Sequence, residues 1–207
     1  IGHRFDPASP SQHSESWAAA ARGERAEVTM GRHAEYKGVW YSQNDRIYVA
    51  DLNEVHVVDA ADAHRLDAWR SLAIGGEVHE SVELEGVFGL DDEHVWAFGA
   101  AGDPGYVWCF DGRSWSDAAQ LDGDVVAIHG ARPDLVYAVG MDGFAARWDG
   151  RAWTSLEAVE GDLRDVHVVS DDEVYAVSED GGLFRQQASS WSEIARFPGA
   201  GSQIDNP

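Results

Sequence analysis

The chain is short of positive charge, of cysteine and of long apolar runs, and each shortage removes a class of function. Fifteen Lys and Arg stand against 37 Asp and Glu in 207 residues, a formal net charge of -22. That balance repels nucleic-acid backbones and anionic membrane surfaces, and it leaves a basic protein partner or a solvated surface as its meaning. Cys109 is the sole cysteine, which excludes an internal disulfide framework and a cysteine-rich zinc site. Its place inside an aromatic strand predicts a buried core thiol. No apolar run approaches the roughly 20 residues of a membrane-spanning helix, and no signal peptide is visible. A soluble chain is expected, with its compartment left open. Also missing are the His-Glu-x-x-His, Gly-x-Ser-x-Gly, phosphate-loop, Cys-x-x-Cys and calcium-loop patterns, so neither catalytic residues nor a cofactor is expected.

Aromatic residues, by contrast, are plentiful: nine Trp, seven Phe and six Tyr in a chain that is 44% hydrophobic. Such a composition folds, and this length suits a single closed β domain. The aromatics recur at a fixed period. Val87–Gly99 (VFGLDDEHVWAFG) aligns without gaps on Ile128–Gly140 (IHGARPDLVYAVG), Val166–Ser178 (VHVVSDDEVYAVS) and, more loosely, Val39–Asp51 (VWYSQNDRIYVAD). Each unit continues through a second pair of strands to a closing tryptophan at Trp69, Trp115, Trp153 or Trp191, the last three spaced by 38 residues. Arg4-Phe5-Asp6 followed by Trp17 reads as the tail of a further unit.

Short strands and tight turns at a period of about 40 residues describe the blades of a β-propeller. The expected architecture is all-β, with five blades in one domain spanning 1–207. A blade tail covers 1–20 and a candidate insertion 22–36. Complete blades lie near 37–73, 85–119, 124–158 and 163–196, and a closing strand near 202–206. In the third complete blade, strand a falls near 125–130, b near 134–139, c near 143–148 and d near 152–157. The Asp-Gly pairs at 111–112 and 149–150 predict two-residue hairpins between c and d, with positive φ at both positions. Trp115 to Ile128 and Trp153 to Val166 are both 13 residues, and the same step from Trp191 places a new strand at Ile204. Pairing it with the blade of Phe5 and Trp17 would close the sheet edges.

The frame Val-Trp-Gly-x-x-x-Asp-x-Val-Trp-Ala-Val-Gly, followed by an aromatic-Asp-Gly-x-x-Trp hairpin, resembles bacterial propeller repeats of the kind found in large myxobacterial and other environmental proteins. Residues 87–115 and 126–153 carry it best. The resemblance implies a display scaffold rather than a particular chemistry. Asp111-Gly-Arg-Ser-Trp115 and Asp149-Gly-Arg-Ala-Trp153 also resemble the Asp-box of sialidase-type propellers, with Asp and Gly adjacent here instead of spaced by one residue.

Candidate sites divide by face. The closing tryptophans are expected to pack within and between blades rather than to stack sugars. His129 and His167 share the repeat position held elsewhere by Trp40 and Phe88; with Asp165 they are weak candidates for a metal, and packing without metal is expected. Acid pairs such as Asp91-Asp92 and Asp171-Asp172 recur at the a-to-b turns and read as turn formers. Strand order sends the d-to-a and b-to-c connections to one end of each blade and the a-to-b and c-to-d turns to the other. The first set holds Glu77, Glu80, Glu83, Glu85, Asp122, Asp124, Glu157, Glu160 and Asp162. Its inner turns add Asp51, Glu54, Asp103, Asp142, Glu179 and Asp180, with almost no positive charge expected among them. The second set mixes Asp45, Asp92, Asp111, Asp149 and Asp172 with Arg46, Arg113, Arg132 and Arg151. A one-signed end steers a basic partner. The expected function is therefore a non-catalytic protein-binding scaffold, a module or subunit of a larger assembly. The alternative is a carbohydrate-binding propeller and the third reading a glycosidase-like enzyme, which needs two convergent carboxylates.

Overall fold

The computed structural model describes residues 2–5, 14–22, 25–32, 36–52, 54–74, 83–100, 104–187 and 190–198, the first three stretches as backbone only. Contacts group the chain into two compact units, Ile1–Gly102 with Val107–Ala118, and Asp103–Tyr106 with Ala119–Pro207. Each is described by itself.

The first unit opens with an antiparallel sheet of β1 (Gly2–Phe5), β2 (Ser14–Arg22) and β3 (Arg25–Arg32). β3 lies in the stretch with least repeat character and pairs with β2 from Arg22↔Arg25 to Ser16↔Arg32. Blade 1 follows as β4 (Gly38–Tyr41), β5 (Arg46–Ala50), β6 (Glu54–Asp59) and β7 (Arg70–Ala73). Blade 2 is β8 (Glu83–Asp91), β9 (His94–Ala100), β10 (Gly105–Phe110) and a two-residue β11 (Ala119–Gln120), of which β11 and the first two residues of β10 are grouped with the second unit. In the second unit, blade 3 is β12 (Val125–Arg132), β13 (Leu135–Gly140), β14 (Ala145–Trp148) and β15 (Trp153–Ser155). Blade 4 is β16 (Leu163–Ser170), β17 (Glu173–Ser178), β18 (Gly182–Gln187) and β19 (Ser190–Arg196). Each blade is a four-stranded sheet in sequence order, a–b–c–d, and the fold class is a β-propeller. The expected strands of blade 3 agree with the observed ones to within about two residues.

The repeat extends to irregularities of the ladder. The first strands β8, β12 and β16 each shift register twice, at Leu84/Gly86 and Gly89/Asp91, at Val125/Ala127 and Gly130/Arg132, and at Leu163/Asp165 and Val168/Ser170. These are matching positions of the frame, so the bulges belong to the design of the blade. A glycine closes the second strand of blades 2 and 3. A Cβ on Gly140 would stand 1.6 Å from the Asp124 carbonyl oxygen, and one on Gly99 would stand 2.1 Å from that of Glu83. The start of the first strand passes too close for a Cβ at these two positions, whereas blade 4, with the same bulge, carries Ser178 at the matching place.

The c-to-d hairpins differ from expectation. Trp148 pairs with Trp153, and Phe110 bridges to Trp115, so four residues form each loop. Asp149 Oδ1 accepts the amides of Arg151 and Ala152, both at 2.9 Å, and Asp111 Oδ1 accepts those of Arg113 and Ser114 at 2.9 and 2.8 Å. With the aspartate acting as a local cap, only Gly112 (φ 85) and Gly150 (φ 91) take positive φ.

In the second unit the core lies between blades 3 and 4. β13 is buried at every position, because both of its faces are covered. In β17 burial alternates, with Val174, Ala176 and Ser178 inside and Val177 exposed. Leu135, Tyr137, Val139 and Ala145 of blade 3 pack on Leu163, Val166, Val168, Val174, Ala176 and Phe184 around blade 4. In the first unit, Trp96 and Trp108 are fully buried, and Tyr36 and Val49 pack with Ile47 and Trp69.

Candidate functional site

Two of the closing tryptophans, Trp115 and Trp191, join blade to blade. The Trp115 indole N–H of blade 2 donates to the Leu72 carbonyl in the last strand of blade 1 at 3.3 Å. Trp191 of blade 4 sets its ring edge-on to Tyr137 of blade 3, with centroids 6.3 Å apart. Trp69 stays within its own blade and donates to the Ala63 carbonyl at 3.2 Å. A groove of about 500 Å³ runs beside Trp115, bounded by Ser71–Ala73 and by Phe110 with Arg113–Asp117.

The turn acids have two jobs. Asp91 is a turn former, its Oδ1 accepting the Glu93 amide at 2.9 Å and contacting His94 Nδ1 at 2.8 Å. Asp92 reaches the preceding blade instead. Buried in blade 2, it accepts the Tyr48 hydroxyl at 2.9 Å and the Asn44 amide at 2.9 Å, and lies 3.7 Å from Arg46 of blade 1. Burial pushes the Asp92 carboxyl up, but the hydrogen bonds from Asn44, Ser42 and Tyr48, with the Arg46 charge, outweigh it and hold the pKa below the ordinary value. Burial and the Asp92 charge push the Tyr48 phenol up to about 12.

Asp171, at the matching position of blade 4, accepts a bidentate pair from Arg132 of blade 3 with both distances 2.8 Å, and Arg147 stands 3.8 Å away. Its carboxyl is lowered chiefly by the Arg132 hydrogen bonds. Sequence reasoning missed this cross-blade role for Asp92 and Asp171. The signal available was their identical place in the frame, one residue beyond Asp91 and Ser170.

The acidic end is assembled in both units. In the second, the Asp142 amide donates to Asp162 Oδ1 at 2.9 Å, the Glu179 amide to the Asp162 carbonyl at 2.9 Å, and the Met141 amide to the Asp124 carbonyl at 3.3 Å. Ser155 Oγ donates to Asp122 Oδ2 at 3.0 Å. Asp122, Asp124, Asp142, Asp162 and Glu179 therefore share one end, with Asp180 beside them and Glu157 and Glu160 exposed in the d-to-a connection. Positive charge is present where almost none was expected. Arg164 bridges Asp162 and Glu179, and Arg196 bridges Asp180 and Glu193. Two guanidinium groups offset part of the field without reversing its sign.

In the first unit, the Leu84 amide donates to the Leu52 carbonyl at 2.6 Å. That contact sets exposed Glu83 and Glu85 beside Asp51 and Glu54. Those two carboxylates flank buried His56, whose Nε2 lies 3.4 Å from Asp51 and 4.0 Å from Glu54. Glu77, Glu80, Asp103 and Ile204 lie outside the described residues, as do the side chains of Phe5 and Trp17.

At the opposite end of the second unit, charges alternate in sign. Arg132 contacts Asp134 at 2.6 Å as well as Asp171, and Arg185 donates to the Asp172 carbonyl at 3.1 Å. At the same end of the first unit, a cleft of about 430 Å³ is bounded by Asn44, Arg46, Asp59, Asp91, Asp92, Glu93 and Gly112.

His129 and His167 meet. Their ring centroids are 4.3 Å apart at 42°, and His129 Nδ1 accepts the Val168 amide at 3.1 Å. That bond takes up one of the two His129 ring nitrogens, and among the described residues no group of three or more His, Cys, Asp or Glu is placed to hold an ion. Cys109 is half-buried rather than a core thiol. Burial, with Asp111 and Asp91 nearby, pushes its pKa up to about 11.

No family model matches the chain, and no curated protein sequence matches it. Solved structures do. The WD40 β-propeller domain of Doa1 aligns with a TM-score of 0.66 at 13% identity, covering 91% of this chain and 62% of that one. YCF48 from Cyanidioschyzon merolae aligns with a TM-score of 0.58 at 16% identity, covering 87% and 60%. A catalytically inactive virginiamycin B lyase from Staphylococcus aureus, solved with quinupristin, gives 0.62 at 10%, covering 80% and 56%. The chain thus spans about 60% of the length of these propellers. Likeness at such identities establishes the β-propeller fold. Among the described residues, no helix is long and apolar enough to cross a membrane.

Proposed function

We propose that the chain is a non-catalytic protein-binding scaffold, a module or subunit of a larger assembly, whose d-to-a and b-to-c end receives a basic protein surface. One observation carries the reading. Among the described residues of the second unit that end gathers Asp122, Asp124, Asp142, Glu157, Glu160, Asp162, Glu179 and Asp180 around only Arg164 and Arg196, whereas the opposite end pairs Asp134 and Asp171 with Arg132 and Arg147. A field of one sign raises the encounter rate with a basic surface and weakens as salt screens it. A YCF48 structure bound to a D1 peptide, aligning with a TM-score of 0.59 at 12% identity, is a propeller neighbour that holds a peptide partner.

The test uses decalysine as the probe. Lys at Glu157 and Glu160, both exposed, should slow association several-fold at low salt, and the difference should shrink at 0.5 M salt. Lys at Asp172 and Glu173, exposed at the other end, should change it little. Equal effects from the two pairs, or association indifferent to salt, would count against the reading. The groove beside Trp115 supports a second reading, a carbohydrate ligand, because it combines an aromatic ring with Arg113 and the hydroxyls of Ser71, Ser114 and Ser116. A glycan array with wild-type protein and Trp115→Ala separates the two.

A further inference from the structure

We propose that the joint between blades 3 and 4 is acid-labile: neutral His129 closes it, and a proton on that ring opens it. The geometry starts from the repeat. Trp40, Phe88, His129 and His167 occupy one frame position, and Gly89 and Val168 occupy another. In the first unit the Trp40 ring lies over Gly89 of the next blade so closely that a Cβ there would meet it at 2.6 Å. In the second unit His129 points at the matching residue, Val168, and accepts its amide hydrogen through Nδ1 at 3.1 Å. The same blade-to-blade contact is thus made once by a ring that cannot titrate and once by one that can.

An Nδ1 that accepts an N–H carries no proton, so the bond defines a neutral imidazole with its hydrogen on Nε2. Protonation would set an N–H against the Val168 N–H and remove the bond. The groups facing His129 reinforce this. From β16 come His167, whose ring is 4.3 Å away, and Asp165. From β13 comes Tyr137, directly across the ladder and itself within the fields of Arg147 and Asp171. Arg132 lies three residues along the same strand.

Burial first, and then His167, hold the His129 pKa below its ordinary value, while Asp165 pulls the other way. A histidine whose folded pKa is depressed contributes stability that is fully present above the unfolded value of about 6.5. That contribution is lost as pH falls from there toward the folded pKa.

The experiment is NMR on the whole chain between pH 7.5 and 5.5, reading the imidazole ¹⁵N shifts of His129 and the hydrogen-exchange protection of the Val168 amide, corrected for the intrinsic rate. At pH 7.5 the Nε2–H tautomer is expected. Below about pH 6.5 the Val168 protection should fall by up to about tenfold per pH unit, the limit for uptake of one proton. His129→Phe copies the residue found at position 88, and His129→Gln keeps a neutral acceptor; in both, protection should stay level over the same range. An Nδ1–H tautomer at pH 7.5, or wild-type protection that does not change, overturns the proposal. So does a variant that keeps the wild-type slope. Should one variant fail to fold, the other and the wild-type titration decide.

Discussion

Replacing Asp92 with Ala should unfasten blade 1 from blade 2, and the cost can be worked from its partners. The Tyr48 hydroxyl donates to Asp92 at 2.9 Å, and Tyr48 is only 1% exposed. Removing the carboxylate deletes a hydrogen bond to a charged acceptor and leaves a buried hydroxyl without that acceptor, a loss of about 1.5–3 kcal/mol. Buried Ser42 Oγ, which also bonds Asp92, still holds the amides of Asn44 and Arg46 when the carboxylate is gone, and exposed Asn44 and partly exposed Arg46 can turn to water, so these three partners add about 1 kcal/mol together. The expected destabilisation is about 2–4 kcal/mol, measured by urea unfolding followed through tryptophan fluorescence. Asp171 fills the same frame position, but its pair with Arg132 is exposed, 42% and 55% for the two side chains, so Asp171→Ala should leave the midpoint nearly unchanged. In a Tyr48→Phe background the Asp92→Ala cost should fall by at least about 1 kcal/mol, since the shared bond is already gone. The depressed Asp92 carboxyl also gives a sign to the acid limb. Its contribution is present above the unfolded value near 4 and is lost as pH falls through the folded value, so Asp92→Asn should flatten that limb. Equal costs at Asp92 and Asp171, or a Tyr48→Phe background that makes no difference, would refute the burial argument.

Three further outcomes are expected. Gly140→Ala must move either β13 or the Asp124 carbonyl, because its Cβ would stand 1.6 Å from that oxygen; calorimetry should register about 2–3 kcal/mol of destabilisation, as for other overpacked sites. Trp191→Ala strips the edge contact with Tyr137 and the cover over the cluster between blades 3 and 4, and should cost about 2–4 kcal/mol in the same unfolding assay. Cys109, with its thiol pushed up to about 11, should react with a disulfide reagent at pH 8 at least about 30-fold more slowly in the native protein than in denaturant, where the thiol pKa returns to about 8.5; equal rates would show the thiolate to be unperturbed.

Most of the fold was legible because a blade is built from local signals that repeat. The run Leu135–Gly140 has the length and β-branched content of a strand covered on both faces, and the frame located it. The closing glycines at 99 and 140 were visible as letters, and the close approach of the Glu83 and Asp124 carbonyls to them was not. In the Asp-Gly hairpins the dipeptide marked the turn correctly. The loop still grew to four residues, since the aspartate caps two amides and leaves positive φ to the glycine alone. β3 went unseen, because Arg25–Arg32 follows no frame that the other units share.

By itself the sequence determined the all-β repeat, the position of nearly every blade strand, the placing of acids on d-to-a and b-to-c connections, and the alignment of His129 with Trp40. All of these follow from spacing along one chain, which a period of about 40 residues records directly. Only the tertiary structure decided what each side chain meets in the neighbouring blade. It set Asp92 on Tyr48, Asp171 on Arg132, His129 on Val168, and Arg164 and Arg196 among acids that looked unopposed. Those partners lie about 40 residues apart, or across a turn whose direction is fixed by packing. Hydrogen bonds and ion pairs depend on distances of a few tenths of an ångström, which periodicity does not encode.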